Sequence, residues 1–156
     1  MMCKQINSNL IGTMKDTFDN ENRQALVEYR INRACETMKE ALLLNNGGFY
    51  NGAAVSLYYA CYHAAKALLL ANDIQVQEHH NVKTMLGFHF VSKGRLSVSS
   101  SQIYSELFYQ WYSMDFDAFV YCDHKMFDEL YPKAEAFIEE VKKLIESSCN
   151  TTESDI

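Results

Sequence analysis

The side chains able to do chemistry are unevenly spread along this sequence. Its five histidines are His63, His79, His80, His89 and His124. His63 precedes Lys66 by three residues, a spacing that sets an imidazole and an ammonium on one helical face. Together with His79 they are the available acid–base groups, because imidazole titrates nearest to neutrality. The plain alternative for His63 and Lys66 is a half-buried polar notch in a mostly apolar helix. Arg23, Arg30 and Arg33 fall within an arc of about 80° when wound at 100° per residue. Such a stripe can hold a phosphate or an acidic partner, or can be a solvated helix face. Rings crowd the stretch from Tyr104 to Tyr121, with Phe108, Tyr109, Trp111, Tyr112, Phe116 and Phe119 between. They could stack nucleobases. Because basic residues do not interleave with them, core plus subunit interface is the favoured reading.

Other chemistries lack their residues. No phosphate-binding glycine loop, dinucleotide fingerprint or serine elbow is present. The Glu-x-x-His pair that builds di-iron sites in bundles is missing. Cys122 and His124 could reach one metal, but no further ligand is spaced to join them, so no metal or cofactor is expected. The net charge of −6 argues against a protein that coats nucleic acid. Five widely spaced cysteines without a C-x-x-C read as reduced thiols. No membrane span or signal peptide is visible, so the expected location is cytoplasmic.

The elements that must position these groups are helices. One Pro and six Gly are too few turn formers for a sandwich or barrel of this length. Residues 1–21 read as a flexible N-terminal arm, 22–147 as one helical bundle and 148–156 as a frayed polar tail. The first helix spans about Arg23 to Asn45 through Val27, Ile31, Ala34, Met38 and Leu42, and stops at Gly47-Gly48. The second, about Asn51 to Asn72, is apolar almost all round and therefore central. A third runs from about His79 to Ser92 and a fourth from about Gln102 to Met114, after the serine-rich 97–101 connector. A fifth spans about His124 to Glu146, where Pro132 must kink the helix or mark its true start. The predicted fold is all-α, a five-helix antiparallel up-and-down bundle.

The run FYNGAAVSLYYACYHAAKALLLAN, from Phe49 to Asn72, resembles the HEPN superfamily, in its branch of stand-alone prokaryotic proteins. The resemblance rests on Tyr58-Tyr59-Ala60 followed by Ala64 to Leu69. It continues in a helix opened by His79 and closed by Phe90-Val91-Ser92-Lys93-Gly94, and in the final AEAFIEEVKKLI. It covers about residues 22 to 147. The resemblance implies one of two roles: a metal-independent ribonuclease dimer, or a non-catalytic partner of a nucleotidyltransferase in a toxin–antitoxin pair. The ribonucleases carry an arginine and a histidine separated by four to six residues. The branch resembled here has an arginine, three residues, then Asp-Tyr near the end of the fourth helix. In this sequence the stretch reads Trp111-Tyr112-Ser113-Met114-Asp115-Phe116, so the aspartate is kept while the arginine and the final hydroxyl are lost. A phosphate-holding guanidinium and a proton-carrying group disappear together.

The leading expectation is therefore a non-catalytic homodimer engaging a nucleotide, RNA or a nucleotidyltransferase-like partner, with an interface on the second and fourth helices. Its binding candidates are Tyr58, Tyr59, His63, Lys66 and His79, with Trp111, Asp115 and Phe116. The alternative is a ribonuclease with relocated chemistry at His63, Lys66 and His79. A third reading is a small-molecule sensor using the bundle core.

Overall fold

A computed structural model describes residues 8–116 and 120–150, with side chains described over 19–115 and 120–150. Among the described residues are five α-helices and one π-helical turn, and no strand. The helices are α1 (Ser8–Asn46), α2 (Tyr50–Ala71), α3 (His79–Leu86), α4 (Val98–Phe116) and α5 (His124–Asn150), with the π turn over Gly87–Val91 after α3.

The reading of residues 1–21 as a loose arm is corrected from Ser8 onward, where the backbone already belongs to α1. Asn, Ser and Thr each lower helix propensity by only a fraction of a kcal/mol, and the segment has no proline to stop a helix growing backward from residues 23–45. The C-terminal end of α1 follows expectation. Gly48 takes φ +82°, its N–H donates to the Asn45 carbonyl at 3.1 Å, and the Phe49 N–H donates to the Leu44 carbonyl at 2.8 Å. That pair of bonds is the Schellman closure, which needs a residue tolerant of left-handed backbone at Gly48. The same closure ends α2, with Asp73 at φ 59° in the glycine's place and Ile74 N–H on the Leu69 carbonyl at 2.9 Å.

The α2 helix is the centre of the bundle, packed on α1, α5 and α4. Its buried residues include Ala53, Ala54, Ala60, Ala64, Ala65 and Ala67, whose short side chains let the neighbouring helices close in. A half-buried stripe through Ser56, Tyr59, His63 and Lys66 interrupts this apolar surface. The third helix is shorter than expected. At Gly87, a poor helix former, the ladder shifts to an i→i+5 bond from the Ser92 N–H to the Gly87 carbonyl at 3.0 Å.

The fourth helix starts earlier than expected because Ser97 caps it, accepting the Ser100 N–H at 3.0 Å. Glu140 of α5 ties down this cap: it accepts from the Ser97 N–H at 2.8 Å, the Ser97 hydroxyl at 2.9 Å and the Ser100 hydroxyl. Burial alone would raise the Glu140 carboxyl, but these donors outweigh it and hold the group below its ordinary range. The fifth helix passes through Pro132 without ending. It also reaches Asn150, so the first residues of the expected tail are helical; 151–156 lie outside the described residues. No described helix is long and apolar enough to cross a membrane.

Candidate functional site

Three helices bring their rings to one place. Tyr58, Tyr59 and Tyr62 come from α2, His79 from the first residue of α3, and Trp111 from α4. The Tyr58 hydroxyl and His79 Nδ1 share a hydrogen bond of 2.7 Å. One face of the His79 ring lies against Tyr62, with centroids 4.2 Å apart and planes at 17°. Trp111 also stacks on the imidazole, at 4.6 Å and 21°, and on Tyr58 at 4.7 Å and 15°. Tyr59 stands edge-on to both Tyr58 and Trp111. Tyr58 is fully buried and Trp111 is 8% exposed, so the stack is part of the core and opens outward only at its rim.

Electrostatics follow from that placement. Burial pushes the Tyr58 and Tyr62 phenols up, with the Arg30 charge opposing at Tyr62. Burial first and the Lys66 charge second hold His79 below the ordinary imidazole range, while Asp115 pulls the other way. Lys66 donates to the Val76 carbonyl in the α2–α3 turn. Burial and Arg30 lower its own pKa. The site thus offers a neutral imidazole, hydrogen-bonded at Nδ1 and walled by rings, with an ammonium and a carboxylate at its edge.

His63 points elsewhere. Its electrostatic neighbours are Arg33, Arg30 and Glu40 of α1, so the structure joins Lys66 to His79 and assigns His63 to the α1 side. The arginines do not act as one stripe either. Arg23 pairs with Asp73 at 3.2 Å, beside an open groove of about 700 Å³ lined in part by Asp19, Leu26, Leu70 and Gln75. Arg33 pairs with Glu40 at 2.7 Å and Glu36 at 3.6 Å on its own helix. Arg30 turns toward α2. Phe116 closes α4, but its side chain lies outside the described residues. Within the ring-rich stretch, Tyr104, Phe108 and Trp111 are core, while Tyr109, Tyr112 and Tyr121 are exposed.

Cys122 and His124 have structural partners. The Cys122 N–H donates to Asn51 Oδ1 at 2.6 Å, and His124 contacts Asn45 at 3.2 Å and Asp128 at 3.1 Å. Among the described residues no three His, Cys, Asp or Glu side chains gather as a metal site.

The profile of the HEPN domain matches residues 27–144, and so takes in every residue of this ring site. The chain belongs to the HEPN family. It is 30% identical over 128 residues to a candidate toxin of Methanocaldococcus jannaschii, covering 80% of this chain and 90% of that protein. It is 27% identical over 124 residues to a UPF0332 protein of Thermotoga maritima, covering 80% and 94%. The crystal structure of ST0689, an archaeal HEPN homologue, superposes with a TM-score of 0.63 at 22% identity, over 76% of this chain and 97% of that one. That likeness supports the bundle architecture. Within this HEPN domain, Tyr62 was missing from the site expected from sequence. Its signal was available: it lies one turn after Tyr58, which puts both rings on the face that meets α3.

Proposed function

We propose that this HEPN domain works by binding, in a toxin–antitoxin-like setting, and does not itself cut RNA. One observation carries the reading: the Trp111 indole lies flat on both His79 and Tyr58. The resemblance places an arginine at position 111, where its charge would serve a phosphate. An indole there offers only a ring face and one N–H donor. The imidazole it covers is biased toward the neutral form and already spends Nδ1 on Tyr58. Such a ring is better suited to hold a base or a partner's side chain at the rim than to shuttle protons. Relatives named as candidate toxins support the setting. The occupants proposed for the rim are a nucleotide, RNA or a nucleotidyltransferase-like protein, met by a homodimer.

The ribonuclease alternative draws on the nearness of Lys66 to His79. Incubation of the protein with mixed-sequence RNA, with and without chelator, separates the two. The expected outcome is no specific cleavage by wild type. Cleavage that survives chelator and is lost in His79→Ala would establish the nuclease and overturn the binding reading.

A further inference from the structure

A second cluster lies on the α1 side of Tyr62, away from the His79 ring. The Nε of Arg30 and the Nδ1 of His63 are both buried without a hydrogen-bond partner. Among the described residues Arg30 has no carboxylate partner, while the nearby Arg33 has already engaged Glu40 and Glu36. The Arg30 charge acts on Tyr62, His63 and Lys66, and Arg33 acts on His63 as well. The Arg30 charge therefore stands without an ion-pair partner among the described residues at a notch between α1 and α2, while the Arg33 charge is offset by Glu40 and Glu36.

Buried polar nitrogens without partners are costly, and native structures rarely leave them so. Arg30 Nε is an N–H donor, and His63 Nδ1 is one in its Nδ1–H tautomer or when the ring is protonated. A water molecule could satisfy His63, but it would do nothing for the excess positive charge. We propose that Arg30 and His63 form an anion site that takes a phosphate group. Guanidinium gives a phosphate two parallel donors. The remaining phosphate oxygens can meet the imidazole, and Lys66 adds longer-range attraction. A phosphate also offers more acceptor oxygens than a carboxylate for the guanidinium fork and the imidazole to share. The phosphate can come from a free nucleotide or from an RNA backbone. The site lies on an acidic protein, which explains how phosphate recognition can coexist with a net charge of −6.

The full-length protein, labelled for histidine NMR, should be titrated in parallel with inorganic phosphate, AMP and a short 5′-hydroxyl single-stranded RNA. Saturable binding of inorganic phosphate is expected to raise the pKa of His63, since an anion beside the ring favours imidazolium. Tighter binding of AMP would identify a nucleotide as the source, and tighter binding of the oligomer an RNA backbone. Arg30→Gln should weaken phosphate binding about tenfold, the loss of one charge-assisted pair. Arg30→Lys, which keeps the charge and the fold but lacks Nε, should fall between. His79→Ala should leave phosphate binding intact, so this site and the His79 reading fail separately. A His63 signal indifferent to phosphate in the folded protein, or equal affinity in wild type and Arg30→Gln, would overturn the proposal.

Discussion

His79 and His63 reach unusual environments by different routes. His79 is walled by rings and faces Lys66, with Asp115 opposing; His63 faces Arg33 and Arg30, with Glu40 opposing. In both, burial is the leading cause and the pKa falls below the ordinary imidazole value. The folded chain thus resists protonation more than the unfolded chain does. As pH drops, the unfolded state takes up protons first, so stability present above the ordinary imidazole range is lost as pH falls through it. The urea midpoint should decline between about pH 7.5 and about pH 5.5. The decline should shrink in His79→Gln. A midpoint that stayed level or rose over that window would contradict this account. At this scale the sequence was only half legible. His63 and Lys66 share a helical face by spacing, as expected, yet they serve different neighbours because α1 covers one side of α2 and α3 the other. The pairing of Tyr58 with His79 spans 21 residues and has no local signal; the family resemblance singled out both residues but not their contact.

Helices were far easier to read than their ends. Apolar residues three and four apart located every α-helix, because each must bury one face against α2. Their boundaries depend on single groups that periodicity does not weigh. Ser97 moves the start of α4 because Glu140, distant in sequence, makes its cap worthwhile. Gly87 turns the end of α3 into a π turn. Pro132 is the reverse case: of its two readings, the start of α5 is ruled out because the helix runs through it from His124. It lies on the exposed side of α5 between Leu130 and Ala134, both buried against the core. The apolar stripe holds the helix together, although Pro132 cannot donate to the carbonyl one turn earlier. Restoring that bond and removing the ring clash should stabilise the protein. Pro132→Ala is expected to raise the unfolding free energy by about 1–3 kcal/mol. Chemical denaturation checks this, and an unchanged or lower midpoint would mean that α5 has relaxed around the proline at no cost.

The whole molecule has more ring surface than one small core encloses. Tyr109 and Tyr112 are 57% and 52% exposed, on the helix that supplies Trp111 to the stack, and Tyr59 and Tyr62 lie half-buried beside it. A second copy of this chain is the occupant expected for that surface, which would place the rim of the His79 site near the joint between protomers. The net charge of −6 opposes self-association, but salt at physiological strength screens charges separated by more than about 8 Å. Burial of rings is not screened, and a stable pair typically covers about 1,200 Å² or more. Light scattering after size exclusion, in physiological salt, should give about twice the 18.0 kDa mass of one chain. Tyr112→Glu puts a charge on the contact without entering the core, so it should yield a folded monomer with an unchanged helical spectrum. Wild type that ran as a clean monomer at tens of micromolar would remove the dimer from this account. Dimers that survived Tyr112→Glu would move the interface off this face of α4.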